Sequence, residues 1–372
     1  MPKVLKKLAI VTYGMRKGGA ERVISIVANY LAKRNVDVTI YTFKSGACEY
    51  PLEDNVRLVK LTEVVDASAK VPYREVIKRL SKLRREIKKT KPDVTLMLPE
   101  ELSAFAVVAL LGVKTAKVVS ERNDPKIMPT NKVKRLFRKL FYPTVDGFIF
   151  QTNDAMSYFS ERIASKGIVI HNPLSPSLET FERSNIEDVI VSVGRLEPQK
   201  NFPLLIDAFS KIAPTYESLT LKIYGEGQLR ETLQQKINTL NMQKRIILCG
   251  KSDHIFEDIK NAKLFVMTSN FEGMPNALME AMALGIPSIS TDAPSGGPKE
   301  LITSFENGVL VSVRDEVALV EAMRTVLNDE VLQQTLSTNG KMLLQSHSEE
   351  KILQCWYEYL TAVYNRRHMS EK

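Results

Sequence analysis

Short apolar segments alternate with stretches of helical spacing along almost the whole of this 372-residue chain. In the first half, strands are predicted at 8–11, 38–43, 93–98, 116–120 and 147–150. These runs are apolar throughout, which is typical of parallel strands that helices cover on both faces of a sheet. The pattern therefore predicts a doubly wound α/β architecture with parallel sheets.

The alternation is interrupted once, over residues 171–188. Pro173, Pro176 and a charged run lie there, and this composition is typical of a linker. The alternation resumes at residue 189. Because the chain is too long for one ordinary core, we expect two domains, 1–171 and 172–349, with a ligand-binding cleft between them.

A predicted strand, a polar turn and a predicted helix follow one another around Pro275. The unpaired N–H groups of the first helical turn, from about Met274 onward, would form an anion site suited to a diphosphate. Glu272 and Glu280 are eight residues apart, which at 3.6 residues per turn places them on nearly the same helix face. One carboxylate could then contact a sugar and the other a ribose. A capping glutamate followed by an ordinary surface glutamate is an equal alternative.

Arg195 and Lys200 follow another predicted strand, at its carboxyl end. Arginine offers planar paired donors and lysine a point charge, and the two together suit phosphate oxygens. In isolation these residues are equally typical of a solvated basic loop. Their occurrence in the same domain as the first motif favours a shared anion site.

Four motifs occur in a characteristic order in the second half. They are Gly-Arg-x-x-x-x-Lys-Asn at 194–201, Tyr-Gly-x-Gly at 224–227, Glu-x7-Glu at 272–280 and Gly-Gly-Pro-x-Glu at 296–300. This set resembles the C-terminal domain of the family 4 glycosyltransferases. The segment Gly18-Gly19-Ala-Glu-Arg resembles the N-terminal glycine loop of the same family, so the resemblance covers most of the chain.

The resemblance implies the GT-B fold, in which two Rossmann-like, doubly wound parallel-sheet domains face a cleft. The first domain would bind the acceptor and the second the nucleotide-sugar donor, with the C-terminal helix at 350–372 packing back on the first. It also implies a retaining hexosyltransferase that uses a nucleotide-sugar, here a UDP-sugar, and needs no metal cofactor.

The resemblance further implies roles for single residues. Glu272 would lie beside the donor sugar as the catalytic residue, and Glu280 would bind the ribose. Gly18 and Gly19 would form the glycine loop of the first domain. The residues implied at the donor diphosphate are Arg195, Lys200, Gly273, Met274, Pro275 and Asn276.

The chain departs from the family at one position. Many relatives carry a histidine in the first domain that faces the donor sugar, but none of residues 1–170 is a histidine. Ser-Glu-Arg-Asn-Asp stands at 120–124 instead, similar to a bacterial subset that builds exopolysaccharides, O-antigens and lipid-linked glycans. We expect Glu121, Arg122 or Asn123 to contact the sugar or a polyprenyl-diphosphate-linked glycan acceptor. A capped loop whose charges pair with each other is the alternative.

Positive charge is concentrated in the first half, where residues 1–170 hold 32 Lys and Arg against 17 Asp and Glu. Two basic segments of helical spacing, 73–91 and 132–142, contribute much of this excess. Basic amphipathic helices can rest on anionic lipid. Since no segment approaches the roughly 20 apolar residues of a membrane span, we expect a cytoplasmic protein, peripheral on the inner face of the cell membrane. In the alternative arrangement, the apolar residues of each segment form a stripe that packs against the sheet, and the cations stay in solvent.

Two other functions are compatible with parts of the sequence. A non-hydrolysing nucleotide-sugar epimerase would share the fold, but it needs acid and base groups near the sugar ring, which a first half without histidine supplies poorly. A nucleic-acid-binding protein could use the basic half. The absence of a recognisable reader motif and of interleaved stacking aromatics makes nucleic acid an unexpected partner.

Overall fold

The structure, a computed structural model, describes residues 3–16, 18–63 and 72–370. The chain divides into two compact units. The first comprises residues 1–172 together with 350–372, and the second comprises residues 173–349. Residues 371–372 of the predicted C-terminal helix lie outside the described residues.

The first unit is built on one parallel sheet. Its strands are β1 (Lys7–Thr12), β2 (Asp37–Thr42), β3 (Arg57–Lys60), β4 (Val94–Met97), β5 (Ala116–Ser120), β6 (Gly147–Phe150) and β7 (Gly167–Val169). Its helices are α1 (Gly19–Lys33), α2 (Tyr73–Thr90), α3 (Glu100–Ala109), α4 (Lys132–Phe141), α5 (Asn153–Ser157) and α6 (Glu161–Ala164). Over the described residues, the seven strands are ordered β3-β2-β1-β4-β5-β6-β7 and all pair in parallel.

The second unit repeats this arrangement. Its strands are β8 (Glu187–Val193), β9 (Thr220–Tyr224), β10 (Ile246–Gly250), β11 (Ala262–Met267), β12 (Ser288–Thr291) and β13 (Val309–Val311), ordered β10-β9-β8-β11-β12-β13. Its helices are α7 (Phe202–Ile212), α8 (Arg230–Thr239), α9 (Ile255–Ile259), α10 (Asn276–Ala283), α11 (Gly297–Leu301), α12 (Glu316–Asn328), α13 (Glu330–Gly340) and α14 (Leu343–Ser346). The predicted pair of doubly wound parallel sheets is confirmed.

Apolar side chains cover both faces of each sheet. Neighbouring residues of a strand point to opposite faces, so Ile10 and Val11 of β1 enter two different apolar clusters of the first unit. In the second unit Ile190 and Val191 of β8 divide in the same way. Burial on both faces explains why the strands are apolar throughout.

The strand order reverses between β1 and β4, and again between β8 and β11. In open α/β sheets, ligands bind outside the carboxyl ends of the strands at such a reversal. In the second unit, the loops after β8 and β11 carry the motifs at 194–201 and 272–280. Each unit therefore presents its polar motifs at the carboxyl edge of its own sheet.

The last helix, α15 (Glu349–Ser370), returns to the first unit. Trp356, Leu360 and Val363 are buried in that unit's core. The hydroxyl of Tyr359 accepts a hydrogen bond from the backbone N–H of Phe148, with oxygen and nitrogen 2.8 Å apart. The C-terminal residues thus complete a core that the N-terminal residues begin. No helix in the described part of the chain is long and apolar enough to cross a bilayer.

Candidate active site

The loop after β8 is held by glycines of the Tyr-Gly-x-Gly motif. A Cβ added to Gly225 would lie 1.9 Å from the carbonyl oxygen of Gly194, and Gly225 has a φ of +140°. A Cβ added to Gly227 would lie 2.5 Å from the carbonyl oxygen of Leu196. Only glycine permits this approach and this backbone conformation. The motif therefore fixes the path of the loop that carries Arg195 and Lys200.

The same loop is bound to the loop after β11. Thr268 Oγ1 donates to the carbonyl oxygen of Lys200 at 3.0 Å, and Gln199 Nε2 donates to that of Phe271 at 2.9 Å. Asn270 Nδ2 donates to the carbonyl oxygen of Pro198 at 2.9 Å. Two motifs that are far apart in sequence therefore form one structural element.

Lys200 and Glu272 form an ion pair at the centre of this element. Lys200 Nζ lies 2.5 Å from Glu272 Oε1, and the two side chains are only 16% and 8% exposed. Gln199 Nε2 lies 3.5 Å from the other carboxylate oxygen. Shielding from solvent strengthens such a pair. The Glu272 carboxylate is therefore fixed in position and its charge is compensated by Lys200.

The turn between Glu272 and α10 is closely packed. A Cβ added to Gly297 would lie 1.7 Å from the carbonyl oxygen of Gly273 and 2.9 Å from Pro275 Cδ. The N–H of Glu272 donates to the carbonyl oxygen of Pro294 at 2.9 Å. The Gly-Gly-Pro segment of the family pattern therefore supports the turn at the N-terminus of α10, where the helix dipole favours an anion.

The helical spacing predicted for Glu272 and Glu280 is wrong. Helix α10 begins at Asn276, with Pro275 in the N-cap position, so Glu272 lies four residues before the helix, in non-helical backbone. Glu280 lies one turn into α10 and is half-buried. The position of Glu272 follows from the turn and from Lys200, not from a shared helix face.

The remaining predicted donor residues lie around this element. Arg195 is 69% exposed on its side chain and pairs with Glu197 at 3.0 Å. Gly273, Met274 and Pro275 are buried in the turn that leads into α10. The structure therefore brings the predicted donor residues to one edge of the second sheet, while their contacts with a donor stay predictions.

In the first unit, the glycine loop begins α1. Gly18 is the N-cap residue, and Gly19 is the first residue of the helix. The Tyr50 hydroxyl accepts from the Gly18 N–H at 3.0 Å and donates to the Gly18 carbonyl oxygen at 2.8 Å. Nothing in the sequence pointed to Tyr50. A cavity of about 130 Å³, lined partly by Arg16 and Lys44, opens beside this loop.

Arg122 is a buried cation at the carboxyl edge of the first sheet. Its Nη2 donates to Asn172 Oδ1 at 2.5 Å, and Gln151 donates to the same oxygen at 3.0 Å. Within the described residues, its Nη1 has no hydrogen-bond partner. Burial lowers the pKa of Arg122 to about 10. A buried N–H group of this kind calls for an acceptor that the described residues do not supply.

Asn123 is held beside Arg122 by a residue that the sequence did not single out. Asn123 Nδ2 donates to Glu100 Oε1 at 2.7 Å, and Glu100 Oε2 lies 3.4 Å from the Arg122 backbone nitrogen. Glu100 begins α3 and is buried, and this burial raises its pKa. Glu100, Asn172 and Gln151 therefore position the 120–124 loop. Their positions depend on chain reversals that no local sequence pattern encodes.

Glu121 faces the opposite way from Arg122, into the core. Tyr142 donates to Glu121 Oε1 at 2.5 Å, and Arg138 Nη1 lies 3.9 Å from Oε2. Burial raises the pKa of Glu121 to about 8. The predicted contact of Glu121 with a sugar or acceptor is not supported, because its carboxyl group is enclosed by core residues. Arg122 and Asn123 remain the candidates of this loop.

The buried Glu121 carboxyl makes stability depend on pH. The folded protein keeps a proton on Glu121 up to about pH 8, whereas the unfolded chain releases it near pH 4.5. The contribution of Glu121 to the unfolding free energy is therefore highest below pH 4.5, and it falls as the pH rises towards 8. In Glu121→Gln, an isostere of the protonated form, we expect the unfolding free energy relative to wild type to rise by about 1–3 kcal/mol from pH 5 to pH 8.

Urea unfolding of both proteins at the two pH values measures this difference. Glu161→Gln, at an exposed position of the same unit, controls for the general effect of removing a carboxylate. An equal difference between Glu121→Gln and wild type at both pH values would show that the fold does not raise the pKa of the Glu121 carboxyl above its unfolded value.

Two family models match the chain in succession. The model described as Glycosyltransferase Family 4 matches residues 17–178, and the model described as Glycosyl transferases group 1 matches residues 178–342. Together they span both units and all the motifs described above.

Similar proteins include two from Campylobacter jejuni. One is the GalNAc-alpha-(1->4)-GalNAc-alpha-(1->3)-diNAcBac-PP-undecaprenol alpha-1,4-N-acetyl-D-galactosaminyltransferase, 28% identical over 97% of this chain and 100% of its own length. The other, N-acetylgalactosamine-N,N'-diacetylbacillosaminyl-diphospho-undecaprenol 4-alpha-N-acetylgalactosaminyltransferase, is 26% identical over 96% of this chain and 100% of its own length.

A solved structure has the same fold. HepE of Anabaena, in complex with UDP-glucose, superposes with a TM-score of 0.80 at 20% identity, over 96% of this chain and 99% of that chain. The same family is indicated by the two parallel Rossmann-like sheets, by the two successive family models and by the named relatives. The chain belongs to the group 1, family 4 type of glycosyltransferases and has the GT-B fold.

Proposed function

We propose that this glycosyltransferase moves one sugar from a nucleotide-sugar, a UDP-sugar, to a polyprenyl-diphosphate-linked glycan in bacterial surface polysaccharide or glycan biosynthesis, with retention of anomeric configuration. The observation that carries the proposal is the shielded Lys200–Glu272 pair beside the N-terminus of α10. The names of the two Campylobacter relatives, both for undecaprenol-linked glycans, support the acceptor class.

The second unit would bind the donor. Lys200 and Arg195 supply two cations, and the N-terminus of α10 adds its dipole at the 273–276 backbone. Fixed positive charge of this kind stabilises the negative charge that develops on a departing nucleoside diphosphate. The site would therefore need no metal ion. Glu280, one turn into α10, would accept hydrogen bonds from the ribose hydroxyls.

Glu272 would orient the donor sugar. Its carboxylate is compensated by Lys200 at 2.5 Å, which suits a hydrogen-bond acceptor better than a nucleophile. We therefore favour attack by the acceptor hydroxyl on the face that the diphosphate leaves. The acceptor oxygen bonds to the anomeric carbon, the bond from that carbon to the phosphate oxygen breaks, and the phosphate oxygen takes the acceptor proton.

In the first unit, Arg122 and Asn123 would contact the sugar or the acceptor. The Nη1 group of Arg122 has no hydrogen-bond partner among the described residues. It would supply there a positively charged donor, in place of the histidine that many relatives carry. Membrane association through the basic first unit would bring the enzyme to its lipid-linked acceptor.

The alternatives have less support. An epimerase would need acid and base groups at the sugar ring, and the named relatives are transferases. A nucleic-acid-binding function would rest on the basic first half alone. A salt-dependent shift of an oligonucleotide, without release of nucleoside diphosphate, would favour it over transfer.

A thermal-shift screen against UDP-, GDP- and ADP-sugars tests the donor, because a bound ligand raises stability with the logarithm of its saturation. The stabilising donor is then offered with a polyprenyl-diphosphate glycan. We expect release of nucleoside diphosphate that EDTA does not reduce, and a product with the anomeric configuration of the donor. An inverted product would exclude retention, and loss of transfer in EDTA would exclude metal independence.

A further inference from the structure

Helix α4 presents apolar side chains to solvent. Val133, Leu136 and Leu140 are 54%, 53% and 56% exposed. The sequence predicted the reverse arrangement for 132–142, with the apolar stripe packed on the sheet and the cations in solvent. For these three side chains that prediction is wrong.

Three of the five cations of α4, Lys134, Arg135 and Arg138, are instead turned towards the protein. Arg135 donates to the carbonyl oxygens of Pro129 and Ile127 at 2.7 and 2.6 Å. Arg138, which is buried, donates to those of Met128 and Pro125 at 2.7 and 2.8 Å. The carbonyl groups of this loop need donors, and the two guanidinium groups supply them. The hydrogen bonds of the two arginines to these carbonyl groups therefore set the rotation of α4 about its axis.

Three further contacts hold the helix in place. Lys134 pairs with Glu101 of α3 at 3.1 Å. The ring of Phe137 packs edge-on against Phe105 of α3, with centroids 5.2 Å apart. Asn131 caps the helix by accepting from the N–H of Val133 at 2.8 Å. The exposed apolar side chains therefore stand on a helix that is held rigidly from behind.

The exposed residues form one continuous face. Val133, Leu136 and Leu140 follow the i, i+3, i+7 spacing of a single helix face. Lys132 and Lys139 are exposed beside them. No Asp or Glu occurs from Lys126 to Val145. At 3.6 residues per turn, the three apolar residues lie side by side and the two lysines border them along one side. We name these five residues, 132, 133, 136, 139 and 140, the α4 face.

We propose that the α4 face inserts into the headgroup and acyl-chain boundary of an anionic lipid bilayer. Apolar side chains flanked by lysines are the composition that such insertion requires. Lysine stems can lie along the apolar layer while their ammonium groups reach the phosphates. Pairing with a second copy is disfavoured, since the face would meet like charge and no carboxylate. The choice of lipid over an acidic protein rests on the lipid-linked acceptor of the proposed function.

The sequence named two basic segments as possible lipid-binding surfaces, and in the structure the two differ in what they expose. The other basic segment, on α2, exposes Lys78, Arg85, Lys88 and Lys89 but buries Leu83 and Ile87. Its exposed apolar side chains, Tyr73 and Ile77, lie near its N-terminus. The cations of the rest of the helix would bind lipid through charge, which salt weakens. Insertion of the α4 face adds burial of apolar area, which salt does not weaken.

The test is flotation with vesicles of equal phosphatidylcholine and phosphatidylglycerol. The variant Val133→Ser/Leu136→Ser/Leu140→Ser is expected to partition roughly tenfold or more weakly than wild type. Wild type should keep part of its binding at high salt. Val317→Ser/Val331→Ser, at 71% and 78% exposed positions of the second unit, is the matched control and should bind as wild type does.

A second measurement does not depend on a loss of binding. In Leu136→Trp, the emission of the introduced side chain should shift to the blue when anionic vesicles are added. The native Trp356 is buried in the core and gives a constant background. An unchanged emission maximum, or triple-variant binding equal to that of wild type, would overturn the proposal.

Two more outcomes separate this proposal from others. If wild type is a dimer that the triple variant dissociates, and neither binds vesicles, the face is a self-association surface. Transfer to a short-chain, water-soluble acceptor should be unchanged in the triple variant. If no nucleotide-sugar supports transfer but vesicle binding still depends on the α4 face, the proposed function fails while the docking surface stands.

Discussion

Lys200→Ala is expected to lower kcat by about 10²–10³-fold, the usual effect of removing one fixed group that stabilises transition-state charge. Lys200 would contact the departing diphosphate and also fixes Glu272 at 2.5 Å. Both effects act mainly in the transition state, so kcat should fall more than KM rises. Steady-state kinetics with the donor identified by the screen measures the change. We expect Glu272→Ala to lower kcat by a similar factor.

Loss of stability must be separated from loss of chemistry. Lys200→Ala leaves the Glu272 carboxylate shielded and without its cation, which also destabilises the fold. The double variant Lys200→Ala/Glu272→Ala also removes the unpaired carboxylate. We expect it to regain stability but to stay inactive. Lys236→Ala breaks a pair with Asp207 in the same unit, 2.6 Å long, and should keep full activity. Full activity in Lys200→Ala or Glu272→Ala would contradict the assignment of the site.

Gly297→Ala is expected to weaken nucleoside diphosphate binding by at least roughly tenfold while the protein stays folded. The added Cβ would lie 1.7 Å from the Gly273 carbonyl oxygen, so the turn before α10 must move. That turn would hold the donor diphosphate through its backbone, and small displacements of such a site are costly. Isothermal titration calorimetry measures the binding constant, and circular dichroism checks the fold.

Gly14→Ala is the matched control for this substitution. A Cβ added to Gly14 would meet no atom closer than 3.9 Å. We therefore expect its nucleotide affinity and melting temperature to equal those of wild type. Wild-type affinity in Gly297→Ala would show that the turn does not hold the diphosphate.

The overall architecture could be predicted because both faces of each sheet are buried. That burial makes strands such as β1 and β8 apolar throughout, a pattern that is visible without a structure. The strands β3, β7 and β13 escaped prediction. They are only three or four residues long, and β3 and β7 are partly exposed, so their apolar runs are too short to stand out.

The sequence assigned Lys200 and Glu272 to one candidate site, but the geometry that brings them together was not predicted. The order of motifs identified Lys200 and Glu272, yet the pair forms through two loops whose contact is long-range. The helix was predicted to begin at Pro275, one residue from the observed start of α10 at Asn276, but helical spacing was applied to Glu272, which precedes the helix. The conformation of the turn that carries Glu272 depends on the packing of Gly297 against Gly273, which local sequence does not reveal.

Side-chain direction was the weakest part of the prediction. Glu121 and Arg122 are adjacent, and the sequence could not decide which of them faces the core. The rotation of α4 depends on carbonyl groups at 125–129 that take their donors from the helix. The spacing of apolar residues in the sequence does not reveal this need. At α4 the hydrogen-bond needs of the backbone outweighed the simple separation of apolar and charged side chains. At 121–122 both side chains are buried against polar side chains from distant parts of the chain.

The return of α15 has a consequence for the order in which this protein is made. The second unit is a single stretch of chain, 173–349, and is complete once that stretch has left the ribosome. The first unit begins earlier but must wait for Trp356, Leu360 and Val363 to close its core. The half that is synthesised first is thus the last to be finished, and a ribosome that stalls after residue 349 leaves an apolar groove open on the nascent chain.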